Sequence, residues 1–124
     1  MGQETVTYFT EKEEEFTNLL IKIGIQKNIA TVLVFLANTP EATSREIERG
    51  TDMRQPEVSG AMKYLMDLGW IRSRESTGES KGRPIKIYKL AKPFDEIMDC
   101  IEKDKKTEIN NKLALVQKVR EHIR

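Results

Sequence analysis

Apolar residues recur along this 124-residue chain at two different periods, and the change from one to the other sets out its elements. Phe16, Leu19, Leu20 and Ile23 follow an i, i+3, i+4, i+7 pattern, which predicts an amphipathic helix over residues 11–23. Glu11, Glu13, Glu14 and Glu15 load its first turn, where the helix dipole favours negative charge, and Gly24 is its expected stop. A second helix, 29–37, is apolar nearly all round and so belongs at the centre of a small domain, with Asn28 read as its cap. Thr43 or Ser44 caps a short third helix, 45–49, which Gly50 is expected to end. Pro56 opens a fourth helix that runs to about Leu68 before Gly69. Its positions Val58, Ala61, Met62, Leu65 and Leu68 make one inward face.

The period then falls to two. Residues 70–74 and 85–90 alternate as strands, and the segment between them carries Gly78 and Gly82, which predicts a hairpin. Ile85, Ile87 and Lys89 share one face of the second strand; Lys86, Tyr88 and Leu90 share the other. Pro93 starts a last helical region. Phe94, Ile97, Met98 and Ile101 form one stripe, and Ile109, Leu113, Val116, Val119 and Ile123 continue it at about the same angle. The charged run 102–106, with Lys105 and Glu108, interrupts the stripe, so a bend or two separate helices are both open. The fold class is therefore mainly α with a small β-hairpin. It comprises an arm and helix start over 1–15, a compact domain over 16–92 and a C-terminal helical extension over 93–124.

Composition narrows the function. No apolar run approaches the ~18 residues of a membrane span, and the N-terminus lacks the blocks of a signal peptide, so a cytoplasmic chain is expected. Cys100 is the only cysteine and His122 the only histidine, which leaves no Cys/His metal set, and no cofactor motif is present. A nucleophilic triad would have to use His122, three residues from the chain end, so an enzyme is not expected. The net charge of +1 conceals a division: residues 1–50 sum to −3, residues 51–92 to +4 and residues 93–124 to zero. A basic middle third points to one polyanion-facing surface.

Helix, short helix, turn, longer helix and hairpin is the order of a winged helix-turn-helix. A major groove about 12 Å wide admits one helix, and the head of the fourth helix carries suitable chemistry there. Arg54 can donate two hydrogen bonds to guanine, and Gln55 can pair with adenine; Ser59 and Lys63 follow on the same outward side. Lys81 and Arg83 place cations at the hairpin tip, suited to phosphate or the minor groove. Glu57 favours the helix dipole more readily than it accepts from cytosine. Trp70 and Tyr88 read as packing aromatics, and Cys100 as a small buried hydrophobe. Arg72 and Arg74 are explained equally by an outward strand face and by DNA.

The runs Ala42-Thr43-Ser44-Arg45-Glu46-Ile47-Glu48 and Arg54-Gln55-Pro56-Glu57-Val58-Ser59, with Gly82-Arg83-Pro84 and Tyr88, resemble archaeal winged-helix transcriptional regulators. They are similar to the DNA-binding domains of the TrmB- and MarR-like groups over residues 16–92, although no room remains for a sugar-sensing domain. The resemblance implies a double-stranded-DNA-binding regulator. Ser44, Arg54, Gln55, Glu57, Ser59 and Lys63 would contact DNA from the helices, and Lys81 and Arg83 from the wing. It also implies a homodimer. Phe94, Ile97, Ile101, Ile109, Leu113, Val116 and Ile123 are the expected dimerisation stripe, because a helix longer than the core beneath it needs another surface. The alternative is a winged-helix module that docks onto transcription machinery without reading sequence; the acidic Asp52, Glu57, Glu75 and Glu79 around the surface favour it.

Overall fold

In the computed structural model, which describes residues 10–76 and 84–123, seven elements follow in chain order. They are helices α1 (Glu11–Lys22), α2 (Lys27–Ala37), α3 (Ser44–Thr51) and α4 (Gln55–Asp67), strands β1 (Ile71–Ser76) and β2 (Ile85–Leu90), and helix α5 (Phe94–Ile123). Five helices and one antiparallel hairpin are the mainly α winged-helix class expected from the two periods. The chain divides into two units, Met1–Ala91 and Lys92–Arg124.

Within the first unit, α1, α2, α3 and α4 enclose a core of Leu20, Ala30, Val32, Leu33, Val34, Phe35, Leu36, Ile47, Val58, Ala61, Met62 and Leu65, joined by Trp70 and Ile71. Helix α2 is buried around nearly its whole circumference, as its sequence requires. It begins at Lys27 rather than after Asn28: Gln26 occupies the N-cap position and offers no side-chain hydrogen bond. Burial of its apolar surface, not capping, holds this helix in place. Leu68, expected on the inward row of α4, is instead the C-cap residue and is exposed.

Helices α1 and α4 end in the same way. After the C-cap, Gly24 (φ 106) and Gly69 (φ 78) take left-handed conformations. The Gly24 N–H donates to Ile21 O and the Ile25 N–H to Leu20 O; the Gly69 N–H donates to Met66 O and the Trp70 N–H to Leu65 O. Four carbonyls that the helices leave unpaired are satisfied in this way. The second turn also drops Trp70 against the domain core at the mouth of the hairpin.

Gly50, expected to end α3, lies inside it. The helix continues to Thr51, and Asp52 forms the left-handed cap (φ 57, ψ 36), while the Met53 N–H reaches back to Glu48 O. The glycine answers a different need: a Cβ at Gly50 would overlap the Phe35 ring of α2. Its absence lets α3 approach α2. At the other end of α3, Thr43 is the cap. Its Oγ1 accepts from the Glu46 N–H at 3.2 Å, and Glu46 Oε1 accepts from the Thr43 N–H at 2.9 Å.

The hairpin pairs Ile71 with Leu90, Ser73 with Tyr88 and Glu75 with Lys86 on one face, and Arg72 with Lys89 and Arg74 with Ile87 on the other. Buried Ile71 fixes the first face inward. A further pairing was not evident from the sequence: Ala42, just before α3, bridges Tyr88 through two backbone hydrogen bonds of 3.0 and 2.8 Å. The start of the helix-turn-helix is thereby tied to the wing. Both bonds span 46 residues of chain, so no local pattern announces them.

The second unit is one uninterrupted helix of 30 residues, about 45 Å long at 1.5 Å per residue. The charged run does not break it. Lys105 pairs with Glu108 at 3.3 Å and Lys106 with Glu102 at 3.4 Å, and Lys and Glu are themselves good helix formers. Along it, Ile97 and Ile101 are buried, whereas Ile109, Leu113, Leu115, Val116, Val119 and Ile123 are 48–79% exposed. No helix is long and apolar enough to cross a membrane among the described residues.

Candidate nucleic-acid interface

Helix α4 buries Val58, Ala61, Met62 and Leu65 and turns the rest of its circumference outward. Arg54 sits at its N-cap, where the Arg54 backbone N–H donates to Glu57 Oε1 at 2.9 Å. Glu57 thus has an internal task at the position where a carboxylate also complements the helix dipole. The Arg54 side chain is exposed and has no ion-pair partner among the described residues. Its five donors are available to an external acceptor.

From the next residue, the Gln55 amide donates across one turn to Ser59 Oγ at 3.1 Å, a link between two of the residues expected to meet DNA. The bond is exposed and neutral, so exchange for a base edge costs little. Lys63 stands one turn beyond Ser59 and lies 3.5 Å from Asp67, both side chains largely solvated. An exposed pair of this kind is worth only tenths of a kcal/mol and does not lock the ammonium.

Ser44, Ser59 and Lys63 come together around a shallow cavity of about 300 Å³, with Met62, Met66, Asp67 and Tyr88 completing its lining. Three candidate residues drawn from α3 and α4 therefore share one surface with Tyr88 of β2, read from sequence as a packing aromatic rather than a base-stacking platform. Arg54 and Gln55 lie at the head of α4 and are not among its lining. Lys81 and Arg83, expected at the wing tip, lie outside the described residues.

On the solvent face of the hairpin, Arg72, Arg74 and Lys89 form a basic cluster, with Arg72 directly opposite Lys89. Like charges in that position repel. The structure offsets them with Glu41, which was not singled out from the sequence: its carboxylate accepts from Arg74 Nη2 at 2.8 Å and Nε at 3.3 Å. These hydrogen bonds hold the Glu41 carboxyl below its ordinary pKa, with the charges of Arg74 and Lys89 acting in the same direction. Arg74 is correspondingly raised. The partners are 33 positions apart, and their segments meet where the Ala42–Tyr88 bridge joins the hairpin pairing of Tyr88 with Ser73.

Among the described residues no group of His, Cys, Asp and Glu is placed to hold a metal ion. Within α5, His122 Nδ1 lies 2.9 Å from Lys118 O, a carbonyl that accepts its N–H.

Comparison with known proteins places this geometry. Residues 23–81, from the end of α1 to the wing, match the MarR family. A possible transcriptional regulator from Methanosarcina mazei has a similar structure, with TM-score 0.62, 16% identity and 83% of each chain covered. So does a MarR family regulator from Neisseria meningitidis, with TM-score 0.51, 20% identity, and 87% of this chain and 84% of that one covered. The transcriptional regulator PA3341 gives 0.54 at 23% identity over 89% and 85%. No curated protein sequence matches the chain. The structural likenesses establish the fold, and the family match covers the helix-turn-helix and the first half of the wing. The chain therefore has the winged-helix fold, and its residues 23–81 are similar to the MarR family.

Proposed function

We propose that the protein is a sequence-specific regulator that binds double-stranded DNA as a homodimer, with α4 in the major groove and the wing on backbone or minor groove. The observation that carries this reading is the outward row of α4. Arg54, Gln55, Ser59 and Lys63 are all exposed on a helix whose other side is fixed in the core, and Arg54 has no ion pair among the described residues. Donors held in register on a rigid helix are what base-edge recognition needs, and a free guanidinium is the side chain best suited to guanine. Ser44 adds a hydroxyl from the head of α3, and Lys81 and Arg83 belong to the wing's share of phosphate contacts. An archaeal, TrmB-related specificity rests on the run Arg54–Ser59. A non-enzymatic role in the cytoplasm completes the reading.

The homodimer is supported by α5. Six large apolar side chains stay exposed on its distal half, and Ile109, Leu113, Val116, Val119 and Ile123 fall within one broad face. Such a face exceeds what scattered surface apolar residues explain. Because Ile97 and Ile101 are already buried, the residues available to a partner are the distal ones, together with Phe94 only as far as its half-buried ring allows.

The test is fluorescence anisotropy on duplexes enriched from a random pool, titrated with salt. The expected result is a site with two half-sites about 34 Å apart, or a multiple, and a log–log salt slope of about −0.9 per neutralised phosphate. Folded protein that retains no duplex at low salt would remove this reading and favour a module that docks onto another protein.

A further inference from the structure

Four glycines lie among the described residues, and three have a reason inside the molecule. Gly24 and Gly69 take positive φ at helix ends, and Gly50 makes room for the Phe35 ring. Gly60 has none of these. It stands at the sixth of thirteen positions of α4, with no positive φ, and a Cβ built there would meet nothing within 4 Å. Glycine at the centre of an exposed helix is the least favourable choice short of proline, because it loses the most backbone freedom on folding. Alanine would fit the isolated chain better. The fold alone therefore gives no account of this residue.

Its position on the helix supplies one. At about 100° per residue, Gly60 lies about 200° around α4 from buried Val58, between exposed Lys63 and exposed Tyr64 on the side away from the core. It stands near the middle of the helix's solvent side, next to the row of Gln55, Ser59 and Lys63. A helix with its side chains is about 10–12 Å across, and the major groove is about 12 Å wide, so the fit of one in the other is tight. A missing side chain at the centre of the inserted face lets the helix backbone sit deeper. Direct contacts depend on that depth, since hydrogen bonds hold only between about 2.7 and 3.2 Å.

We infer that Gly60 is a positioning residue for DNA recognition: it is glycine so that the α4 backbone can approach the floor of the major groove, bringing Arg54, Gln55 and Ser59 within reach of base edges. This rests on the proposed reading of α4 as the recognition helix. It adds that the depth of insertion is set by a side chain's absence rather than by any contact.

The experiment compares the wild type with Gly60→Ala and Gly60→Leu in thermal unfolding and in anisotropy on two duplexes, one selected for the wild type and one of random sequence. Both variants are expected to melt higher, Gly60→Ala by roughly 2–8 °C. On the selected duplex Gly60→Leu is expected to lose about tenfold or more, the scale of one displaced base contact, and Gly60→Ala a smaller part of that. Random duplex, held through phosphates, is expected to change by less than about threefold. Gly60→Leu binding the selected duplex within about threefold of wild type would overturn the inference while leaving α4 as the recognition helix. So would variants that melt lower than wild type, which would show that the fold itself needs the glycine. Failure of the wild type to bind any duplex would remove the reading of α4 and this inference with it.

Discussion

Gly50 is the position where a single methyl group should do the most harm in the first unit. It sits on the inner side of α3 facing Phe35 of α2, and a Cβ built there would lie 2.8 Å from the Phe35 Cζ, where carbon atoms normally stand about 3.5–4.0 Å apart. The ring has little freedom to move aside. Phe35 is buried within a helix whose neighbours Val32, Leu33, Val34 and Leu36 are buried as well. Overpacking of this kind costs about 1–3 kcal/mol. Against it stands the gain from replacing a helical glycine by alanine, about 1 kcal/mol. Gly50→Ala should therefore lose about 1–2 kcal/mol, near the upper part of the overpacking range because the nearest ring atoms are so close. Urea unfolding at fixed protomer concentration measures it, as a lower midpoint with unchanged slope. The cycle with Phe35→Leu isolates the cause. Each single change should destabilise, and the double variant should recover about 1 kcal/mol relative to their sum. An additive cycle, or a Gly50→Ala chain as stable as wild type, would refute the argument that close approach of α3 to α2 requires glycine.

Three further outcomes are expected. Arg54→Ala should relax base preference by about 1–3 kcal/mol in competition anisotropy, whereas Arg83→Ala should weaken all duplexes alike and lower the salt slope by about one; equal losses on every sequence from both would remove the division of labour between helix and wing. Glu41 has a folded pKa below its ordinary value, so the stability it contributes is present above the usual carboxylate range and is lost as pH falls through the folded pKa. Glu41→Gln should accordingly be less stable than wild type near neutrality and converge with it in acid, which unfolding midpoints across that range would show; parallel profiles would mean that the Arg74 pair has no stabilising effect. Val116→Glu should convert a dimer into a monomer in sedimentation velocity, since it places a charge at the centre of the distal apolar face of α5, and a dimer of unchanged strength would exclude that face as the interface.

Much of the fold was legible because it depends on local chemistry. The helical periods of α1 and α4, the alternation of the hairpin, and the glycine stops at Gly24 and Gly69 are properties of short segments, and the structure repeats them. The all-round apolarity of α2 likewise announced its burial. Local reading failed where one residue type serves two purposes. Gly50 looks like a helix stop because glycine often is one, but here it is required by a ring arriving from another helix. The charged run in α5 looks like an interruption because it breaks an apolar stripe, yet its Lys and Glu residues pair within the helix and carry it through.

The candidate interface divides along the same line. Which residues could read DNA was a matter of side-chain chemistry and order along the chain, so Arg54, Gln55, Ser59 and Lys63 were visible in advance. What the tertiary structure alone decided is which of them are committed and which are free. Glu57 is engaged by the Arg54 backbone, Gln55 by Ser59, and Lys63 by Asp67, while the Arg54 guanidinium has no ion pair among the described residues. It also decided that Glu41 offsets the cations of the wing's outer face, that Ala42 joins Tyr88, and that Gly60 lies on the outward side with open space around it. Sequence patterns report the surroundings of a residue within a few positions of itself. A bond across 33 or 46 positions, or an empty space beside a helix, exists only once the chain has closed on itself.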